Sequence, residues 1–218
     1  MNVGLYSAIY GGYDLPKRIP DLGIPCVMFT DDPDLEAPGW EVRVVDMEDK
    51  APGNTMMQHK WWKTHPGEAL PDVDVSLWVD GSMEVMRDDY ASLCLSYLAD
   101  DDWVCVPHPS RGCIYTEADY SATLIWRYDP AKILPQAAHY RNIGHPPNWG
   151  LFATGANVRR HTPTVLKISD LWWDECVNWS HQDQLSLPVL FRLYEDQFRW
   201  NMNMPWFQDW FLHEHKPQ

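Results

Sequence analysis

The sequence predicts an α/β fold, in which a mostly parallel central sheet is flanked by helices within a single domain. Apolar segments that end at glycine or aspartate alternate with helical segments through the first half of the chain, which is typical of parallel sheets. The chain has 218 residues, enough for one domain with its own core. It contains no internal repeat and no low-complexity linker, so we expect one domain over residues 1–218.

The predicted strands are short apolar segments, most of them followed by turn residues. They cover residues 3–10, 25–30, 40–45, 74–79, 103–106 and 151–158. A helix is predicted over residues 54–65, ending before Pro66, and another follows Asp88 as its capping residue.

Further helix starts are predicted in the second half from capping side chains. Two of them place a capping residue before a proline at the first helical position, and two have the spacing of a capping box. These pairs are Asp129-Pro130, Thr162-Pro163, Thr116 with Asp119, and Ser180 with Asp183.

The charge is strongly acidic, with 31 acidic and 17 basic residues and a net charge of -14. This disfavours non-specific binding to nucleic acid or to an anionic membrane. No apolar run approaches the about 18 residues of a membrane helix, and the N-terminus lacks the pattern of a signal peptide. Five cysteines without a CxxC pair disfavour a disulfide framework, so we expect a reduced, cytoplasmic protein.

The segment SLWVDGSMEV at residues 76–85 has two interpretations. Asp80-Gly81 between two apolar segments is a strong signal for a hairpin with positive φ in its turn. If residues 74–79 instead form a parallel strand, Asp80 follows its carboxyl end, where ligands of α/β proteins bind. Ser82 could then face the same side, and such oxygen ligands suit Mg²⁺ or Mn²⁺ holding a diphosphate.

The same segment resembles the metal-site segment of a family of glycosyltransferase-like domains with plant Golgi, bacterial and phage members. Other blocks resemble that family in the same order along the chain, namely YSAIYGGYD (6–14), CVMFTDD (26–32), KWWKTHPG (60–67), HPSRGCIYTEA (108–118) and LWWDECVNWSHQDQLS (171–186). The family is in turn distantly similar to retaining glycosyltransferases of the glycogenin type. The resemblance implies a GT-A-like (Rossmann-like) fold, with a nucleotide-sugar-binding half over 1–100 and an acceptor and catalytic half over 101–218.

The resemblance also implies a divalent cofactor, Mn²⁺ or Mg²⁺. Asp80 and Ser82 take the place of the Asp-x-Asp metal motif, and the closing segment HEHKPQ supplies His213 and His215 as further metal ligands. Imidazole is a suitable ligand for Mn²⁺. Their position near the C-terminus is equally typical of an exposed tail.

The residues implied to bind the donor are Ala8, Tyr10, Lys60, Lys63, Gly155 and Lys216. Lys60 and Lys63 are three residues apart on one helix face and would stabilise the diphosphate; without the resemblance they would be surface lysines. The segment HQDQLS places Asp183 and Gln184 at the sugar. Either side chain could stabilise positive charge, and one could act as a nucleophile in a retaining mechanism.

The predicted function is therefore the metal-assisted, retaining transfer of a sugar from a nucleoside-diphosphate sugar to a hydroxyl acceptor. The acceptor is left open between a glycan, a protein and a hydroxymethylated DNA base. One alternative is a non-catalytic carbohydrate- or nucleotide-sugar-binding protein of the same fold, which Ser82 in place of a carboxylate favours. Another is a metal-dependent hydrolase that uses Asp80, His213 and His215.

Overall fold

The computed structural model describes residues 1–205 and the backbone of residues 211–213. The strands are β1 (Val3–Ile9), β2 (Cys26–Thr30), β3 (Glu41–Val44), β4 (Val75–Val79), β5 (Met83–Val85), β6 (Trp103–Pro107), β7 (Phe152–Arg160), β8 (Trp200–Asn201) and β9 (Phe211–His213). The helices are α1 (Thr55–Thr64), α2 (Pro66–Ala69), α3 (Tyr90–Leu98), α4 (Ile114–Ser121), α5 (Pro130–Asn142), α6 (Pro163–Asn178) and α7 (Asp183–Leu193).

Seven strands form one sheet in the order β3-β2-β1-β4-β7-β6-β8. The neighbours β3, β2, β1 and β4 are parallel, as are β6 and β8, whereas β7 runs antiparallel to both β4 and β6. Strands β2 and β4 are buried along their whole length, which explains why most of their residues are apolar. The mostly parallel α/β sheet is confirmed and is consistent with a GT-A-like fold.

All six predicted strands are present, with ends within two residues of those observed. The hairpin interpretation of Asp80-Gly81 is wrong, because β5 pairs with β9 and not with β4. The chain does turn here, since the Met83 amide donates to the Asp80 carbonyl at 2.9 Å. Gly81 does not have positive φ; it is required for space, because a Cβ would lie 2.5 Å from Ile9 Cγ1.

Two of the predicted helix starts are confirmed by their capping bonds. The Asp129 carboxylate accepts from the Ala131 amide at 2.9 Å, and the Thr162 hydroxyl accepts from the Val165 amide at 3.3 Å. Both caps precede a proline, whose fixed φ is already suited to a helix.

The other helix starts differ from the prediction. The cap of α3 is Asp89 rather than Asp88, and its side chain makes no capping bond. Helix α4 begins earlier than predicted, with Cys113 as its cap, so the Thr116 hydroxyl lies inside the first turn and donates to the Cys113 carbonyl at 2.9 Å. The sequence signal was local, but the neighbouring apolar residues Ile114 and Tyr115 are buried and draw the first turn into the core.

The helices cover both faces of the sheet and place its largest aromatic side chains inside. Trp78, Trp103 and Trp172 are fully buried, and Trp103 lies edge-on to Trp172 and Phe191 at centroid distances of 6.1 Å and 4.9 Å. None of the described helices is both long and apolar enough to cross a membrane.

Candidate functional site

Two adjoining clefts open beyond the carboxyl ends of β1 and β4. The first cleft, of about 570 Å³, is lined by Ala8, Tyr10, Tyr13, His59 and Ser82 among others. The second cleft, of about 630 Å³, is lined by Lys63, Thr154, Gly155, Asp183 and Gln184 among others. Lys60, Asp80 and Arg127 line both. The position of both clefts at the strand ends is the one expected for ligand sites of α/β folds.

The sheet positions Asp80 between the two clefts. Asp80 follows β4 directly, and its amide donates to the Gly155 carbonyl of β7 at 2.8 Å. A Cβ on Gly155 would lie 3.0 Å from Met83 Sδ and 3.4 Å from Asp80 Oδ2. Gly155, predicted to contact the donor, therefore allows β7 to approach the turn that carries Asp80.

Helix α1 directs its lysines inward. Its cap Asn54 accepts from the Met57 amide at 3.1 Å, and Lys60 and Lys63 are only 8% and 1% exposed. The surface-lysine interpretation is therefore wrong. His59 precedes Lys60 on the same helix and lines the first cleft.

The buried lysines form ion pairs with the two aspartates. Lys60 Nζ lies 2.5 Å from Asp183 Oδ2, and Lys63 Nζ lies 3.0 Å from the same oxygen and 3.1 Å from Asp80 Oδ1. The Thr154 hydroxyl donates to Asp183 Oδ1 at 2.9 Å. Both oxygens of Asp183 thus have partners, and both ammonium groups are compensated.

These charges determine the protonation of the site. Burial raises the pKa of the Asp80 carboxyl, but the neighbouring basic groups, of which Lys63 acts most strongly, together outweigh this effect, and the pKa of Asp80 is about 2. Burial acts in the same direction on Asp183, and Lys60 and Lys63 together hold its pKa well below the usual range. Burial lowers the pKa of His59 to about 3. Near neutral pH the site therefore contains two carboxylates and a neutral imidazole.

Asp183 is the first residue of α7, where the helix dipole favours a negative charge. The predicted capping box is wrong: the N-cap is Gln182, and the Ser180 hydroxyl instead donates to Gln136 Oε1 at 2.5 Å. Indole Nε1 of Trp172 donates to the Asp183 carbonyl at 3.0 Å. The side chain of Asp183 is therefore used for buried contacts with Lys60, Lys63 and Thr154 instead of a capping box.

A buried chain of hydrogen bonds orients Gln184. Glu117 Oε1 accepts from Gln182 Nε2 at 2.9 Å, and Gln182 Nε2 also donates to Gln184 Oε1 at 3.2 Å. Glu117 is held in turn by Ser121 and Arg111. Because the carbonyl oxygen of Gln184 accepts this bond, its NH₂ group is the part that it can offer to a ligand.

The described residues supply few metal ligands. They contain no group of three or more His, Cys, Asp or Glu side chains that could hold a metal ion. Asp80 Oδ1 already accepts from Trp78 Nε1 at 2.8 Å and from Lys63, which leaves Oδ2 as the available oxygen of Asp80. Asp80 lines both clefts, and Ser82 lines the first. One carboxylate oxygen still fits Mg²⁺ or Mn²⁺, since such ions commonly bind one or two carboxylates together with substrate phosphates and water.

The C-terminal ligands are only partly placed. The backbone of His213 pairs with Met83, three residues after Asp80, so the end of β9 lies beside the turn of the site. The side chain of His213, together with His215 and Lys216, lies outside the described residues.

Three further residues of the clefts were not predicted: His59, Thr154 and Arg127. His59 lies four residues before Lys63, so helical spacing on α1 could have indicated it. Thr154 lies inside a strand that was predicted without a role. Arg127 lies in an irregular segment between α4 and α5, where no sequence pattern marks it.

A comparison with families supports the resemblance seen in the sequence. The model described as the TOD1/MUCI70, glycosyltransferase-like domain matches residues 40–213, a range that includes both lysines of α1, Asp80 and Asp183. A comparison with curated proteins finds no match. Since the matched range covers most of the chain, the protein belongs to the TOD1/MUCI70 family of glycosyltransferase-like domains.

Proposed function

We propose that this protein is a glycosyltransferase that moves a sugar from a nucleoside-diphosphate sugar to a hydroxyl acceptor. The observation that carries this proposal is the meeting of two clefts at Asp80 and Lys60, with the ionised Asp183 in the second. Such a junction suits a donor whose diphosphate lies between a nucleoside and a sugar. Membership of a glycosyltransferase-like family supports the proposed chemistry, and the two clefts support the proposed location of the donor.

The first cleft would hold the nucleoside and the second cleft the sugar. Ala8 and Tyr10 line the first cleft, and Gly155 lines the second. Most of the first cleft comes from residues 1–100, which supports the proposed nucleotide-sugar-binding half. The second cleft also contains residues of the other half, namely residues 154–155 and 182–184.

Sugar transfer develops positive charge at the anomeric carbon and negative charge on the leaving diphosphate. Asp183 is ionised and would stabilise the positive charge or bind sugar hydroxyls. We assign it this electrostatic role rather than covalent attack, because both of its oxygens already accept hydrogen bonds. Lys60 and Lys63, and Lys216 from the C-terminal segment, would face the diphosphate. Retention of configuration is proposed from the resemblance alone.

A divalent cation, Mn²⁺ or Mg²⁺, is part of the proposal. Asp80 Oδ2 and Ser82 would hold it, with His213 and His215 as further ligands. When bound, such an ion acts as a Lewis acid on the diphosphate and orients it.

A reducing compartment such as the cytoplasm is also proposed. All five cysteines are free thiols and all are buried. Buried thiols of this kind are typical of proteins that do not depend on disulfides.

The decisive experiment measures nucleoside diphosphate released from a panel of UDP-, GDP-, ADP- and CDP-sugars with Mn²⁺, with and without hydroxyl acceptors. A glycosyltransferase releases nucleoside diphosphate slowly alone and faster with its acceptor, and Asp183→Asn reduces both rates. The matched control is Asp170→Asn, an exposed aspartate on α6. Donor binding without any release would instead support the carbohydrate- or nucleotide-binding alternative, and release that no acceptor accelerates would support a hydrolase.

A further inference from the structure

The two buried lysines are poorly suited to neutralise a diphosphate alone. Lys60 Nζ lies 2.5 Å from Asp183, and Lys63 Nζ lies within 3.1 Å of both Asp183 and Asp80. Their positive charges are therefore already balanced by carboxylates. A diphosphate that bound only to them would have to compete with two ionised aspartates. Besides the proposed metal ion, a cationic side chain without such a direct partner would therefore strengthen diphosphate binding.

Arg127 is a cation of the site without such a partner. It lines both clefts, as Lys60 and Asp80 do. In the part of the chain that the structure describes, no carboxylate lies within ion-pair distance of its guanidinium group. Asp80 and Asp183 act on its charge only from a greater distance. Its Nε is buried and has no hydrogen-bond partner there. A buried N–H without an acceptor is costly, which indicates a ligand that supplies one.

The segment around Arg127 holds the guanidinium group in place. The amides of Arg127 and Tyr128 both donate to the Leu124 carbonyl at 2.9 Å, which forms a short turn. Tyr128 is buried, and the Arg127 guanidinium lies 5.4 Å from the centre of its ring. The ring of His181 packs next to Tyr128, with 5.1 Å between the ring centroids. The guanidinium is thus preorganised at the junction of the clefts.

We propose that Arg127 binds the diphosphate of the donor at the junction of the two clefts. This inference rests on the proposed function, because it assigns the diphosphate to the point where nucleoside and sugar meet. A guanidinium group presents N–H donors in a planar fork that matches phosphate oxygens, which an ammonium group cannot do. Lys60 and Lys63 then face the diphosphate with charges that Asp183 and Asp80 already pair directly, while Arg127 adds a guanidinium group that no described carboxylate pairs directly.

The test measures binding by calorimetry with UDP, GDP, ADP and CDP, inorganic pyrophosphate, and the nucleoside of whichever diphosphate binds the wild type most tightly. Arg127→Ala is expected to weaken the binding of the nucleoside diphosphate and of pyrophosphate by about 10- to 100-fold. The nucleoside without phosphates should bind equally to both proteins. Arg127→Lys, which keeps the charge without the fork, should be intermediate. Thermal unfolding without ligand checks that the variants are folded.

Arg141→Ala is the matched control, because the Arg141 guanidinium also stacks on a tyrosine, 4.4 Å from the ring of Tyr115, but lines neither cleft. Its affinity for nucleoside diphosphate should stay within twofold of the wild type. If the wild type binds a nucleoside diphosphate and Arg127→Ala binds it equally well, the role of Arg127 is refuted and the proposed function stands. If the wild type binds none of the diphosphates, the proposed function fails, and the inference with it.

Discussion

Lys60 Nζ and Asp183 Oδ2 lie 2.5 Å apart, although 123 residues separate them in the chain. This contact joins the middle of helix α1 to the start of α7. Both side chains are nearly excluded from solvent, with 10% and 3% exposure. The pair therefore contributes to the shape of the second cleft as well as to its charge.

Replacing Asp183 tests how strongly the fold depends on this pair. Asp183→Asn leaves the Lys60 ammonium without a carboxylate and Lys63 with Asp80 alone. Removing one partner of a buried ion pair costs about 3–5 kcal/mol, and we expect a loss of that size in the free energy of unfolding measured by urea denaturation. Asp170→Asn, whose carboxylate is 67% exposed, should change it by less than about 0.5 kcal/mol. Equal effects of the two changes would contradict a structural role for the pair.

As the pH is lowered, the protein should begin to lose stability at pH values well above those at which its carboxylates titrate. Burial lowers the pKa of His145 and His161 to about 4, whereas an unfolded histidine titrates near 6.5. Between about pH 6.5 and 4 the unfolded chain binds protons that the folded chain does not, so the free energy of unfolding falls as the pH falls. Asp80, with its pKa of about 2, adds a further loss from its unfolded value of 3.8 downwards.

The histidine contribution can be measured through His145, which is 4% exposed. His145→Gln should reduce the number of protons taken up on unfolding near pH 5 by about one, read from the slope of the unfolding free energy against pH. An unchanged slope would show that His145 is protonated in the folded state.

Replacing Gly81 should destabilise the fold, because the space beside it is too small for a side chain. A Cβ there would lie 2.5 Å from Ile9 Cγ1 and 3.3 Å from the Ala8 carbonyl, so Gly81→Ala should lower the free energy of unfolding by about 1–3 kcal/mol. Gly112→Ala is the matched control, because a Cβ at Gly112 meets nothing within 4 Å. Thermal unfolding measures both variants, and equal melting temperatures for Gly81→Ala and Gly112→Ala would contradict this explanation.

The strands were predictable because they are local and buried. A short, mostly apolar run such as residues 75–79 indicates a strand regardless of what pairs with it. The partner of the next segment was not predictable, since Met83 pairs with His213 near the other end of the chain. Helix caps were likewise predictable only where the capping bond is local. Asp129 caps α5 by accepting from Ala131, two residues away. Ser180 instead donates to Gln136, a contact that only the tertiary structure creates.

The site was predictable in its residue types and not in its pairings. The spacing of Lys60 and Lys63 indicates one helix face, and the resemblance adds Asp80 and Asp183. That the two lysines neutralise those aspartates depends on how α1 and α7 pack. The role of Arg127 depends on the same packing, because its importance comes from having no carboxylate partner.

The metal proposal can be tested at Asp80. Nucleoside diphosphate should bind the wild type more tightly with Mn²⁺ than with EDTA, because the phosphates and Asp80 Oδ2 would share the ion. Asp80→Asn should abolish that difference, whereas Asp88→Asn, an exposed aspartate nearby, should preserve it. Calorimetry that gives equal affinities for the wild type with and without Mn²⁺ would rule out the shared ion and leave the cationic side chains as the diphosphate site.

The orientation of Gln184 leads to a prediction about turnover. Because Gln184 Oε1 accepts from Gln182 Nε2 at 3.2 Å, its NH₂ group should donate to the substrate in the second cleft. Gln184→Glu keeps an oxygen for Gln182 but removes this donor, and it should lower turnover at least about 100-fold, as the loss of a donor to a developing charge does elsewhere. Gln184→Ala should lose as much, and Gln197→Glu, on an exposed loop, should lose nothing. If Gln184→Glu stays active while Gln184→Ala does not, the side-chain oxygen is the group that contacts the substrate, and it accepts from the substrate with its second lone pair.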